Sequence, residues 1–166
     1  MANADKPFGF RPAYTLHGGP PSVGVYSNTS VAIYPGDWVT LDGSGCVASV
    51  AANGQGMGVA ANYVSATSEQ DVYVYNDLKN TIFMVQADGA DLTSHAMVGL
   101  FYDITLATGN TTTLKSLQEL DSDQTTDDYL ELMGLVDRPD NDWGGYCDVY
   151  VRFHVDSQIQ LIADNT

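Results

Sequence analysis

The segment 137–142, DRPDND, places Asp137, Asp140, Asn141 and Asp142 within six positions. Carboxylates this dense can hold a divalent cation, act as an acid/base pair or cap a turn. A calcium loop needs oxygens at alternate positions, a glycine at the sixth and a glutamate at the twelfth. Counted from Asp137, the sixth residue is Asp142 and no glutamate stands at the twelfth, so the pattern fails. Pro139 fixes the backbone, Asp140 and Asn141 suit turn positions, and Gly144-Gly145 releases the chain into the next run. The segment therefore predicts a turn. Asp121, Asp123 and Thr125 also stand at ligand spacing, but Thr126 and Leu132 occupy the sixth and twelfth positions, and the reading is a solvated acidic loop.

Other candidate groups fall short in the same way. His17, His95 and His154 are scattered, without the paired spacing that zinc needs. Cys46 and Cys147 form no Cys-x-x-Cys pair and read as two buried thiols rather than a disulfide. Ser44 lies between glycines but lacks the frame and following helix of a nucleophile elbow. The glycine-rich GQGMG, 54–58, has no helix after it to receive a phosphate and reads as a strand that a neighbour packs closely. The expectation is a non-enzyme with no catalytic residues, no metal and no cofactor.

The elements around these residues are short strands. DVYVYND alternates Val72 and Val74 against Tyr73 and Tyr75, and YCDVYVRFHVD sets Val149, Val151, Phe153 and Val155 on one face with Tyr150, Arg152 and His154 on the other. VAIYPGDWVTL reads as two runs about a Pro35-Gly36-Asp37 turn, and CVASVAANGQGMGVAANYVS as a hairpin about Asn53-Gly54. TIFMVQADG adds a run. Further strands are expected near 113–120 and at 129–136, and a helical turn capped by Thr93 or Ser94 within 91–102. High Gly (16) and Tyr (10) counts agree with strands and tight turns. The predicted fold is all-β, one small barrel or sandwich of roughly six to nine strands.

Composition narrows the partners. Six basic residues face 21 acidic ones, a net charge of −15. That argues against nucleic acid, whose binders use Lys and Arg to displace counterions, and against an anionic membrane surface. No window approaches the ~20 apolar residues of a membrane helix. The start of the chain lacks a secretory signal, so a soluble protein made in a cytoplasm is expected.

Residues 1–30 differ from the rest. Pro7, Pro12, Pro20, Pro21 and several glycines disfavour helix and central strand, yet Phe8, Phe10, Tyr14, Val23, Val25 and Tyr26 need a surface to lie on. The division expected is an extended N-terminal arm over 1–30, a β body over 31–156 and a C-terminal tail over 157–166. Within the arm, Lys6, Pro7, Phe8, Phe10, Arg11 and Tyr14 are the candidate partner-binding residues. Phe8 and Phe10 are expected to fill apolar pockets on a partner, with Arg11 meeting a carboxylate or carbonyl there. The competing expectation is that the arm folds back and caps its own body. The tyrosines read either as a contact surface or as the polar faces of half-buried strands.

Four motifs in order carry a family resemblance: Pro7-Phe8-Gly9-Phe10-Arg11-Pro12, Gly36-Asp37-Trp38-Val39, Gln86-Ala87-Asp88-Gly89, and Gly134-Leu135-Val136-Asp137-Arg138-Pro139-Asp140-Asn141. With the Met-Ala-Asn start, the chain resembles the head decoration (capsid cement) proteins of tailed bacteriophages. It departs from them at its end, HVDSQIQLIADNT. The resemblance implies a structural virion protein on the outer capsid surface. Its partners would be the major capsid protein and copies of itself, a trimer first and a dimer second. No catalytic residues carry over. The alternatives are a tail or head-fibre component and an acidic carbohydrate-binding β-module.

Overall fold

The computed structural model describes residues 3–50, 55–67, 69–89, 92–123 and 129–154. The Asn53-Gly54 turn, part of the acidic loop after Asp123, Val155 and the C-terminal tail lie outside the described residues. In chain order the strands are β1 (Arg11–Thr15), β2 (Val23–Ser27), β3 (Trp38–Leu41), β4 (Val47–Ser49), β5 (Gly58–Ala60) and β6 (Asp71–Tyr75). They continue with β7 (Thr81–Gln86), β8 (Phe101–Thr105), β9 (Glu119–Asp121), β10 (Leu130–Leu135) and β11 (Asp148–Phe153). A single 3-10 turn, His95–Met97, is the only helical segment among the described residues; Ser94 precedes it without a side-chain capping bond.

Two antiparallel sheets pack together as an all-β sandwich. One has the order β1-β7-β11-β10-β8-β9, the other β2-β6-β5-β3-β4. The first sheet curls until Asp88, just past β7, donates its backbone N–H to the Leu120 carbonyl on β9 at 3.0 Å. The alternating runs land as their pattern requires. Val149, Val151 and Phe153 are buried while Tyr150, Arg152 and His154 are partly exposed; Val72 and Val74 are buried and Tyr73 is exposed.

The core is aromatic at its centre. Phe153 stacks on Trp38 with centroids 4.3 Å apart and meets Phe83 edge-on at 5.3 Å. Trp38 and Val59 thus bring the second sheet onto the first. The opposite face of the second sheet buries Val39, Ala60, Val72 and Val74 beneath Ile33 and Val64. The glycines at the start of β5 fit the expectation of close packing: a Cβ on Gly56, just before the strand, would lie 2.2 Å from the Trp38 ring, and one on Gly58, its first residue, 2.4 Å from a Val74 methyl.

Several local expectations differ from the structure. The run 31–34 forms only one bridge, Ile33 to Val64. The strand expected near 113–120 shrinks to Glu119–Asp121, because Asn110 and Lys115 close a turn ahead of it and Asn110 Oδ1 accepts the N–H groups of Thr112 and Thr113. Strand β8 replaces the end of the expected helical turn.

The N-terminal segment is not seen as an arm standing apart from the body. Arg11–Thr15 is strand β1, paired with β7, and Val23–Ser27 is strand β2, paired with β6. Both are outer strands of their sheets. An outer strand tolerates Pro12, whose missing N–H would break a central ladder. The ladder with β7 shifts between Pro12 and Tyr14.

Candidate partner-binding site

The N-terminal residues are positioned by the turn at Pro35-Gly36-Asp37 and by the loop from 136 to 148. Gly9 (φ +70) has no room for a side chain: a Cβ there would sit 2.4 Å from the Ser116 Cβ and 2.8 Å from the Gly36 carbonyl oxygen. This close crossing lets the Phe10 N–H donate to the Gly36 carbonyl at 3.0 Å. Asp37 holds the turn, its Oδ2 accepting the Tyr34 N–H at 2.9 Å. Burial pushes the Asp37 carboxyl above its usual range, a rise opposed by the Ser116 hydroxyl.

Gln86, at the end of β7, fixes the preceding residues. Its Oε1 accepts the Lys6 N–H at 2.7 Å, and its Nε2 donates to the carbonyls of Ala4 and Tyr146, each at 3.0 Å. The DRPDND segment is the other support. Asn141 is buried; its Nδ2 donates to the carbonyls of Val136 and Asp148, and its Oδ1 accepts the Asp148 N–H, all at 2.8 Å. Asn3 docks on the same loop through the Asp142 and Gly145 carbonyls. The segment is thus a turn clamped to β11. Asp137, Asp140 and Asp142 are exposed, and among the described residues no three His, Cys, Asp or Glu side chains are placed to share a metal ion.

The six candidate residues divide. Phe10 is 1% exposed, with its ring 5.0 Å from Phe153, so the expectation that it fills a partner's pocket meets a side chain held in the core. Tyr14 is exposed on the outside of the first sheet, edge-on to Tyr150 at 5.8 Å. Lys6, Pro7, Phe8 and Arg11 line one groove of about 620 Å³. There the Arg11 guanidinium lies over the Phe8 ring, 4.6 Å from its centroid.

Two further cations, Lys115 and Arg138, line the same groove, so it gathers four of the six basic residues in a chain of net charge −15. Arg138 is engaged, with Asp148 at 2.6 Å and Asp140 at 3.5 Å. Burial pushes the Asp148 carboxyl upward and the Arg138 charge opposes that rise. Lys6, Arg11 and Lys115 are exposed, and none has a carboxylate within ion-pair distance among the described residues. Three uncompensated cations beside a half-buried phenyl ring can draw in anionic groups; nothing in the groove is arranged as a nucleophile with a base.

In the sequence Lys115 carries no local signal, and Arg138 stands out only as part of the fourth motif. Lys115 follows a threonine-rich turn and Arg138 sits within the acidic cluster. The signal that could have flagged them is scarcity, since each cation in such an acidic chain is conspicuous.

The other candidate groups have local roles. Ser44 donates its hydroxyl to Asp42 at 2.7 Å inside the β3–β4 hairpin. His95 and His154 lie edge-on to Trp143 and Phe101. Cys46 and Cys147 are free thiols, the first half-buried and the second buried. No helix among the described residues is long and apolar enough to cross a membrane. Comparison with family models, with curated proteins and with solved structures gives no match.

Proposed function

We propose that the protein is a structural virion protein that binds the outer surface of a phage capsid and stabilises it. The observation that carries this reading is convergence. The four motifs of the resemblance are far apart in sequence, yet they meet around one junction. Phe10 of the first motif bonds Gly36 of the second; Gln86 of the third bonds the backbone of Lys6, next to the first, and also Asp148, which Arg138 and Asn141 of the fourth hold. The motif residues Phe10, Gly36, Gln86 and Asn141 form the support beneath the groove that presents Lys6, Pro7, Phe8 and Arg11, which fits a protein whose work is contact. Lys6, Pro7, Phe8, Arg11 and Tyr14 are its capsid-facing residues, and the major capsid protein is its partner.

Closed homo-oligomers, a trimer first, are the unit that would match the symmetry of a shell. The outer strand β2 supports self-association. Val23 and Val25 are exposed on it beside exposed Tyr73 of β6. Many weak contacts repeated over a shell give strong attachment by avidity.

The test is co-sedimentation with purified empty capsids of a phage that encodes a chain of this kind. Saturable binding that raises the temperature of capsid disruption is expected. Capsids that neither bind the protein nor gain heat resistance would sink the proposal.

A further inference from the structure

The groove that gathers the cations does not end with them. Arg11, Thr113 and Lys115 also line a second, adjoining hollow of about 290 Å³. Its walls are different in kind: Pro12, Pro35, Ala60, Ala61, Tyr75 and Leu114. A cationic hollow and an apolar hollow, together termed the trough, thus adjoin at Arg11, Thr113 and Lys115.

We propose that this trough binds an extended polypeptide segment of a partner protein in which carboxylate side chains adjoin apolar ones. Four observations carry it. First, the cations are uncompensated. Lys6, Arg11 and Lys115 have no carboxylate partner among the described residues of a strongly acidic chain. The two carboxylates that line the groove, Asp140 and Asp148, are engaged by Arg138, which leaves these three cations to pair with those of a ligand.

Second, the two hollows, about 620 and 290 Å³, are larger and more mixed in lining than a small anion needs. A phosphate or citrate would occupy the cationic hollow and leave the apolar one empty, whereas a chain of several residues spans both. Third, the cations stand at an exposed rim on long side chains, not in a closed cage of buried donors. Such a rim suits a carboxylate-bearing chain that lies along it. Fourth, Leu114 is presented to the apolar stretch from a left-handed backbone (φ +52) and is 41% exposed. A leucine in that conformation is strained, and strain of this kind gathers where surfaces bind.

The inference rests on the proposed function for the partner's identity but not for the trough's chemistry. A decapeptide of five glutamates followed by alternating leucine and serine, fluorescein-labelled, is titrated with the intact protein and followed by anisotropy. Binding is expected, and it should weaken as salt is raised. The double variant Arg11→Glu, Lys115→Glu should weaken it at least tenfold. Lys6→Glu, Lys115→Glu, two exposed positions outside any strand, should do the same if Arg11→Glu disturbs β1. Leu114→Ser should weaken this peptide several-fold and leave a glutamate decapeptide unaffected.

Inorganic phosphate or citrate competing at the peptide's own concentration would overturn the proposal in favour of a small-anion site. Equal binding of a lysine decapeptide, or affinity unchanged in both reversal variants, would also overturn it. So would reversal variants that abolish self-association in light scattering, since the trough would then join copies of this chain. No capsid enters the assay, so its failure is distinct from a failure to bind shells.

Discussion

The Phe10 ring lies 5.0 Å from the Phe153 ring, tying the tenth residue of the chain to the end of its last described strand. Phe153 in turn stacks on Trp38. The N-terminal segment is therefore part of the core at Phe10 and part of the surface at Phe8, two positions away.

That contrast predicts opposite phenotypes. Phe10→Ala empties a buried site and should cost about 3–5 kcal/mol of folding stability. Phe8→Ala, at a half-buried ring under Arg11, should cost about 1 kcal/mol or less. Urea unfolding of both variants checks this. Similar small losses at the two positions would show that Phe10 is not the core residue described.

How far the sequence reveals this arrangement depends on the range of the interaction. Val72 and Val74 against Tyr73, and Val149, Val151 and Phe153 against Tyr150 and Arg152, declare their faces because strand alternation is local. Strand β8 does not alternate clearly. Tyr102 and Asp103 are adjacent and both buried, so no periodic signal marks the run. Strands β1 and β2 were hidden by Pro and Gly, which outer strands tolerate. Phe10 looked like an exposed anchor because its burial depends on Gly36, Trp38 and Phe153, all distant in sequence. The cationic trough draws on residues 6–11, 115 and 138 and exists only once the sheets have formed.

The pair of Arg138 with Asp148 should show its worth through pH. Arg138→Met leaves the Asp148 carboxylate, 4% exposed, without its cation. The expected loss is about 1–3 kcal/mol at pH 8, below the range for a fully buried pair because Arg138 is 43% exposed. Burial already holds the Asp148 carboxyl above its unfolded value, and losing Arg138 raises it further. A group protonated more readily in the folded state loses stability as pH rises. The loss should therefore shrink at pH 5, and Asp148→Asn in the same chain should recover much of it. A loss independent of pH would contradict this account.

Thiol reactivity separates the two cysteines. Burial pushes the Cys147 thiol up, whereas Cys46 is half-buried near the β3–β4 hairpin. A thiolate-specific disulfide reagent at pH 8 should modify one thiol quickly in the folded protein and the second only after unfolding. Two thiols reacting at equal speed would place Cys147 at the surface instead.

The strongest pH dependence should arise at Glu119. Burial and the charges of Asp5 and Asp88 raise its carboxyl from 4.5 to about 7. Its Oε1 is buried without a hydrogen-bond partner among the described residues. Asp121 on the same strand rises to about 6, chiefly by burial, with Asp123 and Asp88 adding to it. In both cases the folded state holds a proton that the unfolded chain releases. Between pH 4.5 and 7 for Glu119, and between 3.8 and 6 for Asp121, the unfolded chain binds fewer protons, so stability falls as pH rises through these windows. Calorimetry should show a higher Tm at pH 6 than at pH 8. Glu119→Gln removes the buried charge while keeping the shape. It should raise Tm at pH 8 by about 2–4 °C, the shift typical of roughly 1 kcal/mol in a domain of this size. The same variant should flatten the rise in Tm between pH 8 and pH 6. A wild-type Tm that is flat across this range, with Glu119→Gln less stable at pH 8, would show that the Glu119 carboxylate is well solvated and stabilising in the folded state.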